Sequence, residues 1–267
     1  MNAALATVGV FGGSGFYELL ADSTAVDIDT PYGPTSSPVM IGTLGGHRVA
    51  FIARHGTDHR FAAHRVPYRA NVWAMRHVGV RAVVAPCSVG SLQPGIHPGQ
   101  MVVVDQLVDR TWGRPDTFHD RGAPGGPEVA LHHQAFADPY HAGVRDVLVR
   151  AARECAVDVV DGGVMVVING PRFSTRAEST WFRQMGWHVV NMTGYPEAVL
   201  AAEAGLRYAS IALVTDRDAS DGGGVTMDEV FEMIRANVAR VTAVIGRAVT
   251  DHHDELVGID ERTKDAH

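Results

Sequence analysis

The run Val8-Gly9-Val10-Phe11 passes directly into Gly12-Gly13-Ser14-Gly15. A short apolar run that breaks into glycines predicts a strand followed by a tight turn. The bare backbone N–H groups of such a turn can hold an anion such as phosphate. The spacing fits neither the G-x-G-x-x-G pattern of dinucleotide-binding folds nor the Gly-Lys-Ser/Thr of a P-loop. The turn therefore predicts an anion site but leaves the identity of the anion open.

Composition limits the class of protein. The chain has 267 residues, of which 46 % are hydrophobic and 20 % charged, enough apolar material for one large domain. A formal net charge of −7 without Lys/Arg runs argues against nucleic acid or an anionic membrane as partner. The two cysteines, Cys87 and Cys155, are too few for a disulfide framework. With no basic segment in residues 1–5 and no apolar run of spanning length, we expect a cytoplasmic protein.

Short apolar runs rich in β-branched residues predict the buried strands of a mostly parallel or mixed sheet. They are Val8–Phe11, Val49–Ala53, Ala82–Ala85, Met101–Val104, Val164–Ile168, Val189–Val190 and Ala209–Val214. Helical patterns, two of them opened by capping boxes, occur at Pro67–His77, Pro139–Glu154, Thr175–Met185, Pro196–Ala204 and from Thr226 onward. The alternation predicts an α/β fold, with a mixed central β-sheet flanked by helices.

We expect this fold to form a single domain over residues 1–267, because no linker or internal repeat divides the chain. The Gly- and Pro-rich segment Trp112–Pro127 predicts a long loop within the domain. Residues 251–267 are polar and predict a partly frayed tail. No metal-ligand motif of the Cys-x-x-Cys or His-Glu-x-x-His kind occurs, so we expect no metal site.

Polar side chains follow several of the predicted strands at the points where they end. Because ligands of open α/β sheets gather at the carboxyl ends of the strands, we expect these side chains to lie close together. Arg54 offers a planar fork of donors, and Ser14, Ser88 and Thr193 offer hydroxyls. The set predicts an oxyanion pocket built from four loops. Taken singly, each member has a structural alternative: a plain tight turn, a surface Arg-His pair, or a solvated Asp-x-Asp.

Seven motifs, spread over roughly residues 8–248, stand in the order found in one enzyme family. They are Gly12-Gly13-Ser14-Gly15, Arg54-His55-Gly56, Gly90-Ser91-Leu92, Gly170-Pro171-Arg172-Phe173, Arg176-Ala177-Glu178-Ser179, Asn191-Met192-Thr193 with Pro196-Glu197, and Thr215-Asp216-Arg217-Asp218. Together they resemble the 5′-methylthioadenosine phosphorylase branch of the trimeric purine nucleoside phosphorylases. The resemblance implies a nucleoside phosphorylase-like fold and a homotrimer with the active site near the subunit interface.

The resemblance also implies a reversible phosphorolysis. Inorganic phosphate, a co-substrate, attacks C1′ of the ribose, and a purine and a pentose 1-phosphate are released without metal or organic cofactor. Phosphate contacts are implied for Ser14, Arg54, His55 and Thr193, and for Cys87 or Ser88 beside them. Many relatives have threonine where Cys87 stands, so this chain departs from the family pattern there.

For the nucleoside, the resemblance places Met192 along the ribose and Phe173 against the base. It implies a 5′ pocket lined by Met227, Val230 and Phe231. This pocket has no partner for a 5′-hydroxyl but suits a methylthio group. A histidine from a neighbouring subunit is also implied, either His133 or His132.

The chemistry of the Asp216–Asp218 pair agrees with an aminopurine substrate. A purine leaves well only when N7 is protonated or hydrogen-bonded, which calls for a general acid. Asp218, shielded from water beside Asp216, is our candidate, because such a carboxyl holds its proton more tightly. Carboxylate oxygens also accept from the 6-amino group of adenine, whereas a 6-oxo purine presents an acceptor and leaves a buried group unpaired.

The sequence therefore predicts phosphorolysis of 5′-methylthioadenosine to adenine and 5-methylthioribose 1-phosphate. Within the same fold, the alternatives are a phosphorylase for methylthioinosine or 6-oxopurine nucleosides, and a hydrolase that uses water. A hydrolase needs no phosphate site, so Arg54 and the hydroxyls around it disfavour that alternative. A non-catalytic nucleotide-binding α/β domain is a rival of another class, for which no acidic pair at Asp216 and Asp218 would be needed.

Overall fold

The strands that the structure describes form one mixed sheet. A computed structural model of the chain describes residues 4–13, 20, 22–120, 130–221 and 224–259. Within that part the strands are β1 Val8–Gly12, β2 Thr24–Val26, β3 Val39–Leu44, β4 His47–Ala53, β5 Ala82–Ser91, β6 Met101–Val103, β7 Gln106–Arg110, β8 Val159–Asp161, β9 Val164–Ile168, β10 Val189–Asn191 and β11 Arg207–Asp216. Their main path runs β2-β3-β4-β1-β5-β10-β9-β7, with β11, β6 and β8 branching from β5.

The branch occurs within β5, which changes neighbours along its length. Its first residues pair in parallel with β1, where Val8 faces Ala82 and Val10 faces Val84. Its last two pair with β10 in the antiparallel sense, Gly90 with Val190. On its other edge β5 pairs with β11 from Ala82 to Gly90. The strand therefore joins two parts of the sheet, and its carboxyl-terminal half lies between them.

Helices cover both faces of this sheet, which fits the alternation of strands and helices in the sequence. They are α1 Tyr68–His77, α2 Ala142–Glu154, α3 Arg176–Gln184, α4 Gly194–Glu203, α5 Met227–Asp251 and α6 His253–Val257. Complete capping boxes open α3 at Thr175 and α5 at Thr226, as predicted. In each box, the threonine hydroxyl accepts a hydrogen bond from the backbone N–H of the glutamate three residues later. The side chain of that glutamate accepts from the threonine backbone N–H in return.

Alternate residues of the central strands face different apolar clusters, which shows how the helices are divided. Phe11 and Val83 pack into the cluster that holds α1 and α4, including Met75 and Leu200. Their neighbours Val10 and Val84 pack into the cluster that holds α2, α5 and α6, including Leu148 and Ile245. All four strand residues are completely buried, as period-two alternation between two apolar layers requires.

The predicted strands are all present, but the strand predicted at Ala82–Ala85 is too short. That prediction leaves Cys87 and Ser88 in the loop after the strand, whereas β5 continues to Ser91. The polar residues interrupt the apolar pattern without interrupting the backbone ladder, because β11 supplies parallel partners as far as Gly90. Strands β2, β3, β7 and β8, which are short or partly exposed, were not predicted.

The predicted frayed tail is wrong for its first part. Helix α5 continues to Asp251, and α6 follows at His253–Val257. Leu256 and Val257 are completely buried in the cluster beside α2 and α5. Two apolar side chains in a polar segment are enough to dock a single helical turn. Residues 260–267 lie outside the described part of the chain, as does most of the second half of the predicted 112–127 loop.

Two helix starts need comment. Tyr195 within α4 has an extended backbone (φ −120°, ψ 134°), so regular helix begins at Pro196, as predicted, whereas α2 begins at Ala142 rather than Pro139. In the part of the chain that the structure describes, none of the helices combines the length and apolar character needed to cross a membrane.

Candidate active site

An open cavity of about 980 Å³, a volume that includes solvent at its mouth, lies beside the ends of β1, β4, β10 and β11. It contains most of the predicted site residues, namely Arg54, His55, Cys87, Ser88, Phe173, Met192, Thr193, Asp216, Asp218, Met227 and Val230. Gly13 of the predicted glycine turn also lines it, and residues to which we assigned no role complete its wall, among them His59, Phe61, Gly90, Ser174 and Asn191. The predicted residues named here therefore share one cavity.

Three predicted residues are not part of this wall. Ser14 lies outside the described residues. Phe231 is half-buried and meets His59 edge-on, with ring centroids 6.0 Å apart, but does not line the cavity. The reason is helical geometry: Phe231 follows Val230 and so points about 100° away from it around α5. His133, like His132, is exposed and outside the cavity of its own chain, so its contribution to a neighbouring subunit stays a prediction.

Arg54 is completely buried and forms a two-point ion pair with Glu197. Its Nε lies 2.6 Å from Oε2 and its Nη2 lies 2.8 Å from Oε1, the fork geometry that guanidinium and carboxylate groups favour. Burial lowers the pKa of Arg54, but the Glu197 charge and hydrogen bonds more than offset this, so the net shift is upward. The charge of the predicted anion-binding fork is therefore already compensated within the protein.

One edge of the Arg54 guanidinium still faces the cavity. Nη1 donates to the Pro86 carbonyl at 3.1 Å and would lie 3.2 Å from a Cβ placed on Gly13. The glycine thus lets the first turn approach the guanidinium closely. Tyr208 secures the far side of the pair, since its hydroxyl donates to Glu197 Oε1 at 2.9 Å. Burial raises the pKa of Tyr208, which keeps this donor protonated.

Asn191 holds the predicted phosphate residue Thr193 in place. Its side-chain oxygen accepts the backbone N–H groups of Thr193 and Gly194, each at 2.7 Å. Its side-chain nitrogen donates to the Ser88 carbonyl at 3.0 Å. One amide therefore ties the start of α4 to β5, and the Thr193 hydroxyl is positioned at the cavity wall.

His55 is neutral in this environment. Its Nδ1 lies 2.8 Å from the Phe61 carbonyl oxygen, which can only accept, so Nδ1 carries the proton. Burial lowers the pKa of His55 to about 4, with smaller contributions from Arg54 and the stacked His59 ring. Nε2 is left as an acceptor, and His55 can accept a hydrogen bond from a bound ligand rather than supply a positive charge.

Cys87 also remains uncharged. It is buried within β5, and its thiol lies 3.4 Å from the Ser210 hydroxyl. Burial raises the pKa of Cys87 to about 11, so the protonated thiol does not repel an anion but is only a weak donor.

Asp216 and Asp218 are both held by hydroxyl and backbone donors. The two oxygens of Asp216 accept from the Thr215 hydroxyl and the Asp218 N–H, each at 2.8 Å. Asp218 Oδ2 accepts from the Ser179 hydroxyl. Burial is the main cause that raises the pKa of both carboxyls, and it outweighs these hydrogen bonds. Either group therefore gains a proton more readily than an exposed aspartate.

Gly90 allows the carboxyl pair to pack against β5. A Cβ at this position would lie 2.8 Å from Asp216 Oδ1 and 3.2 Å from Asp218 Cβ, closer than side chains tolerate. Pro86, which accepts from Arg54, is four residues earlier on the same strand. A strand rises about 3.3 Å per residue, so β5 separates the Arg54 contact from the carboxyl pair by about 13 Å.

Glu197, Asn191 and Ser179 are the supporting residues that sequence reasoning missed, although each stood within a quoted motif. A signal was available for Glu197 alone, because it is the one acid in the otherwise apolar run 196–202. Nothing in the local sequence connects Glu197 to Arg54, 143 positions away, or Ser179 to Asp218.

The Arg54–Glu197 pair predicts a large loss of stability when one partner is removed. Glu197→Gln leaves the buried guanidinium without its counter-charge, and we expect the free energy of unfolding to fall by about 3–5 kcal/mol. Tyr208→Phe keeps the pair and removes one hydrogen bond to it, with an expected loss of about 1.5–3 kcal/mol. Urea denaturation measures both values. Equal losses would contradict a special dependence on the charge pair.

Comparisons with known proteins agree with this geometry. A family model described as the phosphorylase superfamily matches residues 7–250. The S-methyl-5′-thioadenosine phosphorylase of Mycolicibacterium smegmatis is 55 % identical over 234 residues, covering 86 % of this chain and 85 % of the relative. The purine nucleoside phosphorylase of Streptomyces coelicolor is 50 % identical over 251 residues, covering 93 % and 90 %.

The fold is similar to that of a solved relative. The methylthioadenosine phosphorylase from Schistosoma mansoni, in complex with adenine, superimposes with a TM-score of 0.89 at 37 % identity, and the match covers 97 % of this chain and 94 % of that one. The family model spans most of the chain, and each of the two sequence alignments covers at least 85 % of both proteins that it compares. The chain therefore belongs to the phosphorylase superfamily.

Proposed function

We propose that this chain catalyses the phosphorolysis of 5′-methylthioadenosine to adenine and 5-methylthioribose 1-phosphate. The observation that carries the proposal is a single cavity that combines anion-type donors at Arg54 and Thr193 with the buried carboxyls of Asp216 and Asp218. The names of the relatives in Mycolicibacterium smegmatis and Schistosoma mansoni support the same substrate. The enzyme is then a pentosyltransferase with inorganic phosphate as co-substrate, and the reaction calls for no metal or organic cofactor.

Phosphate binds, in this proposal, beside the first glycine turn. Arg54 Nη1 and the Thr193 hydroxyl donate to it, and Ser14 and Cys87 or Ser88 add the remaining contacts. The neutral His55 offers Nε2 as an acceptor for the O–H of hydrogen phosphate, a proton that must leave when the phosphate ester forms. The bound dianion then stabilises the positive charge that develops on the ribose in an oxocarbenium-like transition state.

The nucleoside occupies the rest of the cavity. Phe173 stacks on the purine and Met192 lies along the ribose. Asp218 gives a proton to N7 while Asp216 accepts from the 6-amino group. Met227 and Val230 contact the methylthio group, for which apolar side chains suffice. The assignment of the two aspartates rests on their burial and raised pKa values, which suit one donor and one acceptor.

We further propose a cytoplasmic homotrimer in which His133 of one subunit reaches the site of the next. Two exposed tryptophans support an interface: Trp112 is 68 % exposed and Trp181 is 41 % exposed. Both line one cavity on the α3 side of the molecule. Leu131, two residues before His133, is also 68 % exposed. Large apolar side chains grouped at a surface are typical of subunit contacts.

A phosphorylase for methylthioinosine or 6-oxopurine nucleosides is the second candidate. The observation in its favour is the Streptomyces coelicolor relative, which is named for purine nucleosides in general. The carboxyl pair argues against it, because a 6-oxo group would present lone pairs to the carboxylate that we assign to the 6-amino group.

The proposed reaction predicts an absolute requirement for phosphate. Adenine release from methylthioadenosine should stop when phosphate is omitted, and Thr193→Val should raise the KM for phosphate about 10- to 100-fold with little change in the KM for nucleoside. Initial-rate assays measure both, with Thr43→Val, at an exposed residue of β3, as the matched control. Equal adenine release without phosphate would identify a hydrolase and overturn the proposal.

The donor–acceptor argument predicts a change of substrate preference in Asp218→Asn. Loss of the acid should lower kcat/KM for methylthioadenosine about 100-fold, within the range for general acid catalysis. The amide N–H can donate to a 6-oxo group, so the ratio of methylthioinosine to methylthioadenosine activity should rise. Asp146→Asn, at an exposed residue of α2, is the control. An unchanged ratio would remove Asp218 from the specificity role.

The proposed interface predicts that a charge at Trp181 separates the subunits. Light scattering should give the wild type three times the mass of one chain, and Trp181→Glu should shift it toward one. Leu5→Glu, at an apolar residue that is also exposed at 44 %, should leave the mass unchanged. A wild-type mass of a single chain would refute the homotrimer but not the reaction.

A further inference from the structure

Ser179 is a buried hydroxyl that no step described so far uses. It lies on α3 and is 2 % exposed. Its Oγ contacts two acceptors, the Oδ2 atom of Asp218 and the Thr175 carbonyl oxygen at 3.1 Å. Of these three residues, Asp218 lines the cavity of the proposed nucleoside site, and Ser179 contacts it from outside the lining.

A serine hydroxyl has one proton, so it donates to only one of these acceptors at a time. The Thr175 carbonyl does not depend on it, because the Ser179 backbone N–H also donates to that oxygen at 2.9 Å. The hydroxyl is therefore available to Asp218 without leaving a buried carbonyl unpaired. When it turns to Asp218, Oδ2 becomes an acceptor and carries no proton of its own.

We propose that Ser179 is a positioning residue for the proton donor: its hydroxyl occupies Asp218 Oδ2 and thereby directs the acidic proton to Oδ1. This inference rests on the proposed function, since it gives Asp218 the role of general acid. In the step itself, the C1′–N9 bond breaks, its electron pair passes to the purine, and the Oδ1 proton moves to N7. Hydrogen phosphate loses its own proton on forming the C1′–O bond, so one proton is taken up and one released.

The same hydroxyl stabilises the carboxylate that this transfer leaves behind. The Ser174 hydroxyl and the Ala219 backbone N–H also stabilise the Asp218 carboxylate, whereas the acidic groups around it give no such stabilisation. Asp216 on β11 carries the same type of charge, and its oxygens are already bonded to the Thr215 hydroxyl and the Asp218 N–H. Glu178 on α3 is also acidic, although Arg172 binds both of its oxygens at 2.7 Å. On the β5 side, Gly90 presents no side chain.

The test compares two leaving groups in Ser179→Ala. We expect kcat for methylthioadenosine to fall about 10- to 100-fold, the loss of one hydrogen bond to a charged group. The 4-nitrophenyl glycoside of 5-methylthioribose loses its leaving group as an anion that needs no proton, so its kcat should hardly change. The KM for phosphate should also be unchanged. Thr180→Ala is the matched control, because the Thr180 hydroxyl on the same helix bonds only the exposed Arg176 carbonyl.

The pH profile supplies a second readout. The Ser179 hydrogen bond lowers the pKa of Asp218 against the larger effect of burial. Without it, the carboxyl keeps its proton to higher pH, so the alkaline limb of the kcat profile for methylthioadenosine should move upward. Ser179→Thr retains the hydroxyl and should restore both kcat and the limb. If Ser179→Ala does not fold, Ser179→Cys keeps the volume with a weaker donor and should show the same loss.

The outcomes separate this inference from the proposed function. Equal loss of kcat on both leaving groups, or no loss on either, would overturn the positioning role while leaving phosphorolysis intact. A wild-type protein that does not convert methylthioadenosine with phosphate would overturn the proposed function itself. Loss on the purine alone, with the shifted limb, supports the proposal.

Discussion

The buried ion pair between Arg54 and Glu197 connects more of this molecule than any local motif does. Their side chains are 1 % and 3 % exposed, and the guanidinium also bonds the Pro86 carbonyl on β5. Tyr208 on β11 completes the contact. A buried pair of this kind adds little net stability over apolar packing, but an unpaired charge in its place is costly. The pair therefore acts as a geometric constraint: β4, β5, β11 and α4 must meet before either charge can be buried.

Strand β5 sets the distance between the buried ion pair and the two aspartate carboxyls. Its Pro86 carbonyl meets Arg54, and its Gly90 leaves room for the Asp216 and Asp218 carboxyls. Both contacts are on one continuous strand, so their separation is set by the strand rise rather than by loops. The change of partner from β1 to β10 occurs between them, which opens the sheet where the cavity lies. A nucleoside and an anion can then be held in line along a rigid element, which favours precise positioning of reacting atoms.

The sequence was sufficient for seven of the eleven described strands and for several polar residues that follow them, because these depend on local pattern. Arg54, Thr193 and Asp218 each follow an apolar run, and strand ends in such sheets meet at one edge. It was insufficient where a tertiary contact decides. The sequence places Cys87 in a loop and Leu256 in a frayed tail. In the structure, pairing with β11 keeps Cys87 in a strand, and packing against α2 and α5 keeps Leu256 in a helix. Glu197 and Ser179 act on residues far away in sequence, and no local signal shows such pairing.

The cation and the carboxyls of the cavity have different kinds of partner, and this difference affects the chemistry that each can do. The cation, Arg54, has its charge balanced by Glu197 inside the protein. The carboxyls of Asp216 and Asp218 are held by hydroxyls and backbone N–H groups, and burial raises the pKa of each. Because Glu197 already balances the Arg54 charge, the guanidinium would neutralise little of the charge on a bound phosphate. Most of that negative charge would remain to stabilise the positive ribose in the transition state. The acid would likewise keep a proton that a cation contact would displace. Full ion pairs at both places would stabilise the bound reactants as much as the transition state, and uniform binding of that kind does not raise the rate of the chemical step.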